Sequence, residues 1–265
     1  MNRKQLAKHI LPRIALCVLA GTVLYGCATA DSPLGVRTFK RTFVGATVGV
    51  GINTPSGTYH SQTAEPDCGG FTGGSNTGLN YGLTFEYLFQ QKASSSGIVA
   101  RIFYWQMPGQ FTADYGAVPF LNPTTGKPVT IAETHIADVT YNLINARIAY
   151  GYGIPTTPIT VEVGPSIGLA STVNLKQTLH LDQGVAPDVS FGNGSADSVV
   201  YNQSPASKSG LRLGLWAGVQ YKLDVGWWII SPYVGFDVGL SKVLSTESWS
   251  LSSIAAGVDF KYGIK

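Results

Sequence analysis

The stretch 79–90 alternates between two kinds of side chain, and this pattern limits the fold more than any other feature of the sequence. One set of alternate residues is wholly apolar: Leu79, Tyr81, Leu83, Phe85, Tyr87 and Phe89. The set between them is mostly polar: Asn80, Gly82, Thr84, Glu86, Leu88 and Gln90. Because successive side chains of a β-strand point to opposite faces, the stretch is typical of a strand between two different solvents.

The same period of two recurs along the chain at short, regular spacing. The other predicted strands are 42–52, 97–107, 138–152, 159–170, 211–223, 228–240 and 249–264. In the strand 138–152 the apolar residues change phase between Leu143 and Ile144, so we expect a bulge near Leu143. No convincing amphipathic helix accompanies these segments. The sequence therefore predicts a single all-β domain.

The connections between the predicted strands alternate between long and short. We expect irregular loops at 53–78, 108–137 and 171–209, and brief turns or a moderate loop elsewhere. An up-and-down meander has this asymmetry in bacterial outer-membrane barrels, which carry long extracellular loops and short periplasmic turns. The predicted fold is an eight-stranded antiparallel up-and-down transmembrane β-barrel.

Composition and the placement of aromatic residues favour a membrane over water as the outer solvent. Charged residues are 12% of the chain, against about 25% in soluble domains. The short-turn end collects a candidate interfacial girdle: Tyr87, Phe89, Tyr150, Tyr152, Tyr221, Trp227, Trp228, Phe260 and Tyr262. Both observations oppose the main rival, a soluble lipocalin-like barrel with its apolar residues inside.

The first thirty residues, 1–30, have the pattern of a cleaved secretory signal peptide. A basic start is followed by 14–26 without charge, which is too short for a transmembrane helix of about 20 residues. Ala28-Thr29-Ala30 fits signal peptidase I, whereas Leu24-Tyr25-Gly26-Cys27 resembles a lipobox that would leave Cys27 lipidated. A short lead, 31–40, then precedes the barrel domain, 41–265. Cys68 has no obvious disulfide partner in the mature chain.

The net charge gives no support for nucleic-acid binding. Four of the 18 basic residues, Arg3, Lys4, Lys8 and Arg13, lie in the signal peptide, which leaves 14 against 15 acidic residues. No basic patch remains.

Two motifs carry a resemblance to a family. Tyr141-Asn142-Leu143-Ile144 opens the fourth predicted strand, and Gly257-Val258-Asp259-Phe260-Lys261-Tyr262 lies in the last. With the glycine-interrupted alternation, they make about residues 40–265 similar to the small eight-stranded outer-membrane β-barrel domain proteins of Gram-negative bacteria. Gly257, Phe260 and Tyr262 also resemble the terminal signal that the barrel-assembly machinery reads. The resemblance implies a fold and an outer-membrane location, and no single activity.

Nine charged residues fall in the phase that would face the lumen: Glu86, Arg101, Arg147, Glu162, Arg212, Lys222, Asp237, Asp259 and Lys261. An eight-stranded barrel is only wide enough for side chains to fill it. We therefore expect these charges to pair and plug the interior. The alternative is a narrow, gated or solute-specific path.

The sequence offers little for catalysis or cofactors. His60, His135 and His180 lie in three predicted loops without ligand spacing, so neither a metal nor a cofactor is expected. His135 beside Thr134 could serve a lipid-modifying enzyme, which is the least favoured hypothesis. A non-enzymatic monomer is favoured instead. Its partners would be outer-membrane lipid, the assembly machinery and an extracellular molecule at the loops, and its role envelope integrity, adhesion or partner binding.

Overall fold

The computed structural model describes residues 39–57, 71–184, 188–192, 194–245 and 248–264. The signal peptide 1–30, Cys27, His60 and Cys68 lie outside the described residues, as does most of the lead 31–40. Within the described part of the chain, no helix is long and apolar enough to cross a membrane.

The described residues form twelve strands. They are β1 (Thr42–Ser56), β2 (Thr72–Gly74), β3 (Asn76–Leu88), β4 (Gly97–Gln106), β5 (Gly109–Leu121), β6 (Pro128–Gly153), β7 (Ile159–Leu181), β8 (Asp197–Gln203), β9 (Leu211–Tyr221), β10 (Leu223–Val225), β11 (Trp228–Gly239) and β12 (Ser250–Gly263).

Eight of these strands close into a ring. In the order β1, β3, β4, β6, β7, β9, β11 and β12, each strand pairs antiparallel with the next, and β12 pairs with β1. The predicted eight-stranded antiparallel up-and-down barrel is therefore confirmed. Short connections join β3 to β4, β6 to β7 and β9 to β11 at one end of the ring, which we call the turn end. The opposite end is the loop end.

The predictions of irregular loops at 108–137 and 171–209 are wrong. The first segment contains β5 and the start of β6, and the second contains the end of β7 and β8; β2 lies within the predicted loop 53–78. β5 pairs with β6, β6 continues along β7, and β8 pairs with β7. We call this region the loop-end sheet: β2, β5 and β8 with residues 128–142 of β6 and 172–181 of β7. Its polar outer residues resemble a loop in composition, which is why the sequence pattern missed it.

β6 passes from the barrel into the loop-end sheet without changing phase. Ile144 and Ile148 are exposed on the outside of the barrel, whereas Tyr141, Val139 and Ala137 are buried inside. The predicted bulge in the strand 138–152 is therefore wrong: the register does shift beside Leu143, but the extra residue lies on the partner strand β7. Leu143 pairs with Ala170 and Asn142 with Thr172, so Ser171 of β7 has no partner across the ladder.

Ser171 reverses the faces of β7. Below it, Ile167 and Leu169 point outward and are exposed; above it, Val173 and Leu175 are buried inside. All four residues are apolar and odd-numbered. The bulge between them changes the face on which odd-numbered residues lie from the outside to the inside.

The exterior of the barrel is apolar and its interior charged, which contradicts the lipocalin-like alternative. In β3 the predicted outer residue Leu83 is 69% exposed, and its neighbour Thr84 is 3% exposed in the lumen. The outer face of the ring carries exposed apolar side chains on every strand, including Val48, Leu83, Ile102, Ile148, Ile167, Leu215, Val234 and Ile254. The predicted girdle residues surround the turn end, where Trp227 stacks on Tyr262.

Pro232 is tolerated within β11 because the strand changes its pairing partner at this position. β10 pairs with β11 at Trp228–Ile230, and β9 pairs with it only from Tyr233 onward. The missing N–H of proline falls between these two ladders, so the predicted register stands.

Candidate functional site

The barrel interior holds all nine predicted lumen charges, and each is at most 3% exposed. The strand register stacks them in three layers between the turn end and the loop end. A buried charge is tolerated only when it is paired, so the pairing in each layer decides what the interior can do.

The layer nearest the turn end is built on Glu86. Its Oε1 lies 2.6 Å from the Lys222 ammonium and its Oε2 lies 2.5 Å from the Lys261 ammonium. Lys261 also donates to the Gln220 amide oxygen at 3.2 Å. One carboxylate therefore serves two cations.

The middle layer has the opposite ratio, because one guanidinium serves two carboxylates. Arg101 donates to Glu162 at 2.7 Å and to Asp259 at 2.8 Å. The Trp216 indole N–H also donates to Glu162, at 3.1 Å. Asp259 lies 3.9 Å from Lys261, which joins this layer to the one below.

The layer nearest the loop end is built on Asp237. Its oxygens accept from Arg147 at 3.2 Å and from Arg212 at 2.6 Å. The guanidinium carbon of Arg147 lies 3.6 Å from the centre of a Trp216 ring, in a cation–π contact. Arg212 also donates to the Leu251 carbonyl at 3.0 Å.

Apolar clusters lie beyond the charges at both ends. At the turn end, Phe43, Leu88 and Ile229 are buried together with Phe39 against them. At the loop end, a larger cluster crosses the mouth of the barrel: Phe71, Phe103, Trp105, Met107, Phe111, Ala113, Ala137, Val139, Tyr141, Leu143, Val173, Leu175, Val243, Leu244, Trp249 and Leu251. The described interior is thus filled by apolar side chains, then charges, then apolar side chains.

Sequence reasoning missed the aromatic residues that separate the charged layers. Trp216 and Tyr233 are buried in one interior cluster, and the Arg101 guanidinium carbon lies 4.8 Å from the Tyr233 ring centre. Their signal was visible, since bulky aromatics stand in the polar, lumen-facing phase of β9 and β11. Such residues in that phase indicate a packed interior.

His135 and His180 lie in the paired strands β6 and β7 and not in separate loops, which corrects the prediction for these two residues; His60 lies outside the described residues. In the ladder between β6 and β7, Thr134 pairs with His180, so His135 is next to this pair. The side chains of His135 and His180 nevertheless point to opposite faces of the sheet, because successive residues of a strand alternate between the faces. His135 lies 3.6 Å from Glu133, and exposed His180 lies 2.7 Å from Asp197. Among the described residues, no group of three or more His, Cys, Asp or Glu side chains could hold a metal ion.

The predicted assembly signal lies in β12, at the turn end. Phe260 and Tyr262 are exposed on the outer face. Gly257 has a structural reason as well: a Cβ there would lie 2.5 Å from the Val48 carbonyl oxygen and 2.6 Å from the Tyr233 hydroxyl. Glycine at this position makes room for Tyr233 in the lumen.

A closed eight-stranded register, an apolar exterior and a charged, filled interior define a small transmembrane β-barrel of the outer-membrane type. The family resemblance predicted from the sequence is confirmed at the level of this fold.

No protein-family model matches the sequence, and no curated protein matches it either. Among solved structures, the chain is similar to Neisserial surface protein A, with a TM-score of 0.36 and 13% identity over 84% of this chain and 97% of that one. It is also similar to Ail, the attachment invasion locus protein of Yersinia pestis, with a TM-score of 0.32 and 11% identity over 84% and 99%. A third is the outer membrane protein OprG from Pseudomonas aeruginosa, with a TM-score of 0.31 and 12% identity over 86% and 98%. These values are low, so the fold is assigned from the strand register of this chain.

Proposed function

We propose that this protein is a non-enzymatic, non-conducting outer-membrane barrel that presents the loop-end sheet outside the cell for contact with a partner. Adhesion and envelope maintenance are the two roles that such contact would serve. The observation that carries the proposal is the size of the sheet beyond the barrel.

β6 shows how far the sheet reaches. The strand has 26 residues, which extend about 85 Å at about 3.3 Å each. A tilted strand crosses an apolar band of about 25 Å with about 9–11 residues. More than half of β6 therefore lies beyond the lipid-facing part, together with β5 and β8.

The loop-end sheet has its own apolar interior, and this supports a rigid platform rather than a flexible loop. Ile131, Leu181 and Val189 are buried, with Phe120 and Phe191 packed on them. The polar outer residues of this region suit water. A rigid surface binds a partner with less loss of conformational entropy than a loop that must be ordered first.

The orientation can be tested by cysteine labelling. Leu121, 72% exposed, ends β5 at the far edge of the sheet, and Gln91 is exposed in the β3–β4 turn. In a Cys68→Ser background, a membrane-impermeant maleimide added to intact cells should label Leu121→Cys and leave Gln91→Cys unlabelled. Labelling of Gln91→Cys alone would show that the barrel has the opposite orientation in the membrane.

The closed interior can be tested separately in a planar lipid bilayer. The purified barrel should insert without conductance steps, because three ion-paired layers and two apolar clusters fill its described interior. Reproducible single-channel steps would favour the narrow solute channel instead.

Testing the role of the loop-end sheet requires a variant that lacks part of this sheet and keeps the barrel. Replacing residues 110–137 by a short turn should leave the ring and its heat-modifiable gel mobility intact. Cells that carry this variant should then lose adherence to protein-coated surfaces if the role is adhesion, or admit a hydrophobic dye if it is envelope maintenance. Cells unchanged in both respects would contradict a partner-binding role.

A further inference from the structure

The charged layers of the interior do not balance. The two layers nearest the turn end form one connected group through the Lys261–Asp259 contact of 3.9 Å. This group has three cations and three carboxylates: Arg101, Lys222, Lys261, Glu86, Glu162 and Asp259. The loop-end layer has two guanidinium groups and the carboxylate of Asp237. An excess of one positive charge therefore lies in this upper layer.

That excess sits in a dry environment. Arg147 and Arg212 are each 2% exposed, and Asp237 is 0% exposed. Taking an uncompensated charge out of water costs several kcal/mol or more unless a counter-charge accompanies it. Among the described residues, the ion pairs of this layer involve no second carboxylate.

Hydrogen-bond donors without partners surround the same layer. The Nε atoms of Arg147 and Arg212 are buried and have no hydrogen-bond partner among the described residues. The same holds for Trp105 Nε1, the Asn53 amide and Ser253 Oγ, which are at most 1% exposed. Native interiors satisfy nearly all such groups, so donors gathered in one place mark a position for a bound water or ion.

Three of these groups converge on Gly51. A Cβ at that position would lie 2.7 Å from Ser253 Oγ and 3.5 Å from both Asn53 Oδ1 and Trp105 Nε1. The Trp105 indole and the Ser253 hydroxyl can donate hydrogen bonds. If the Asn53 amide is rotated by 180°, its NH₂ group takes the place of Oδ1 and can donate as well. A side chain at position 51 would collide with Ser253, so glycine is required beside these three polar groups.

The upper guanidinium groups lie beside this cradle. The guanidinium carbon of Arg212 is 5.3 Å from the Trp105 ring centre, and that of Arg147 is 5.7 Å from it. Arg212 also binds the carbonyl of Leu251, two residues before Ser253 on β12.

We propose that the upper layer binds one small monovalent anion of halide size, held by Trp105, Asn53 and Ser253 and neutralising the excess charge of Arg147 and Arg212. The anion is a structural counter-ion inside the barrel, and this role is independent of what the loop-end sheet binds.

Equilibrium unfolding of the barrel from lipid vesicles tests the proposal. Midpoints are compared in sodium chloride, sodium bromide and sodium gluconate at equal ionic strength, since gluconate is too large for the cradle. Above the dissociation constant, each tenfold rise in halide should shift the unfolding equilibrium tenfold, or about 1.4 kcal/mol. Equal midpoints in the three salts at every concentration would overturn the proposal.

Two matched pairs of variants locate the effect. Arg147→Met removes the excess charge and should abolish the halide dependence, whereas Lys222→Met removes a cation from the balanced group and should keep it. Trp105→Phe removes the unpaired N–H and should weaken the dependence, whereas Trp228→Phe, which changes an indole exposed on the outer face at the turn end, should keep it. Equal responses within each pair would show a nonspecific salt effect and refute the site.

Crystals of the unaltered protein grown in sodium bromide decide the matter without any variant. An anomalous peak within hydrogen-bond distance of Trp105 Nε1 would establish the anion. Ordered water there, with no anomalous signal, would replace the anion by solvent and overturn the proposal.

Discussion

Deleting Ser171 should invert the outer half of β7 while leaving the barrel closed. Below the bulge, β7 pairs with β9 from Ile159 to Leu169 and with β6 at 160–163 and 166–170. This half is therefore expected to keep its register. Without the extra residue, the side chains beyond it shift by one position and change faces.

The magnitude follows from what the bulge buries. Val173, Leu175, Leu179 and Leu181 are 6%, 2%, 9% and 0% exposed. Full burial of such a side chain contributes about 1.5–3 kcal/mol, so turning all four into water costs about 6–12 kcal/mol as an upper estimate. That exceeds what a sheet of this size can lose, and the loop-end sheet should unfold locally.

Amide hydrogen exchange and limited proteolysis measure this outcome. The deletion variant should lose protection across 172–181 and be cut there, while its heat-modifiable gel mobility still reports a folded barrel. Ser171→Ala is the matched control, because it keeps the bulge and loses only the 3.1 Å hydrogen bond to the Asn142 carbonyl, worth about 0.5–1.5 kcal/mol. A deletion variant with full protection over 172–181 would refute the argument.

Other predictions concern the two faces of the barrel and its assembly. Leu83→Arg places a charge in lipid and should cost about 2–4 kcal/mol in unfolding from vesicles, with Leu83→Ala as the milder control. Thr84→Arg should cost more, because Thr84 is buried directly opposite Arg101 and a second guanidinium would enter that layer; a smaller loss than for Leu83→Arg would contradict the filled lumen. Replacing Phe260 and Tyr262 by Ser should slow insertion in cells more than it lowers the stability of the inserted barrel, and normal insertion would leave both residues as interface anchors only.

The alternation of β3 could be interpreted correctly from sequence because lipid demands one kind of side chain on the whole outer face. Leu83 and Phe85 are apolar for that reason, and Thr84 between them must then face the lumen. The same rule assigns nine charged residues to the lumen-facing phase, and all nine are buried in the structure. It depends on local periodicity alone, so no partner strand had to be known.

The pairing inside the lumen could not be predicted in this way. Arg101 and Asp259 are 158 positions apart in the chain, and alternation gives the face of a residue but not its height in the barrel. Height depends on the register of every intervening strand. The cradle at Gly51 was invisible for the same reason, because Asn53, Trp105 and Ser253 come from three strands.

The loop-end sheet escaped detection for a different physical reason. Its outer face meets water, so the bulky outer set that identifies the lipid-facing strands is absent. Its inner set is interrupted by buried polar residues such as Glu133 and Gln177, which weaken the period.

The change of solvent fixes where the barrel meets the edge of the lipid. At the height where Leu143 pairs with Ala170, β6 keeps its phase and exchanges apolar for polar residues on its outer face. At the same height β7 keeps its apolar residues and changes phase. Both devices serve the same requirement, that the continuous apolar outer face ends where the lipid ends. From Ile144 to the girdle residue Tyr152, β6 rises about 26 Å along its axis, or about 19 Å along the membrane normal at a tilt of about 45°. That height fits within an apolar band of about 25 Å, so the bulge and the girdle mark the two edges of the membrane independently.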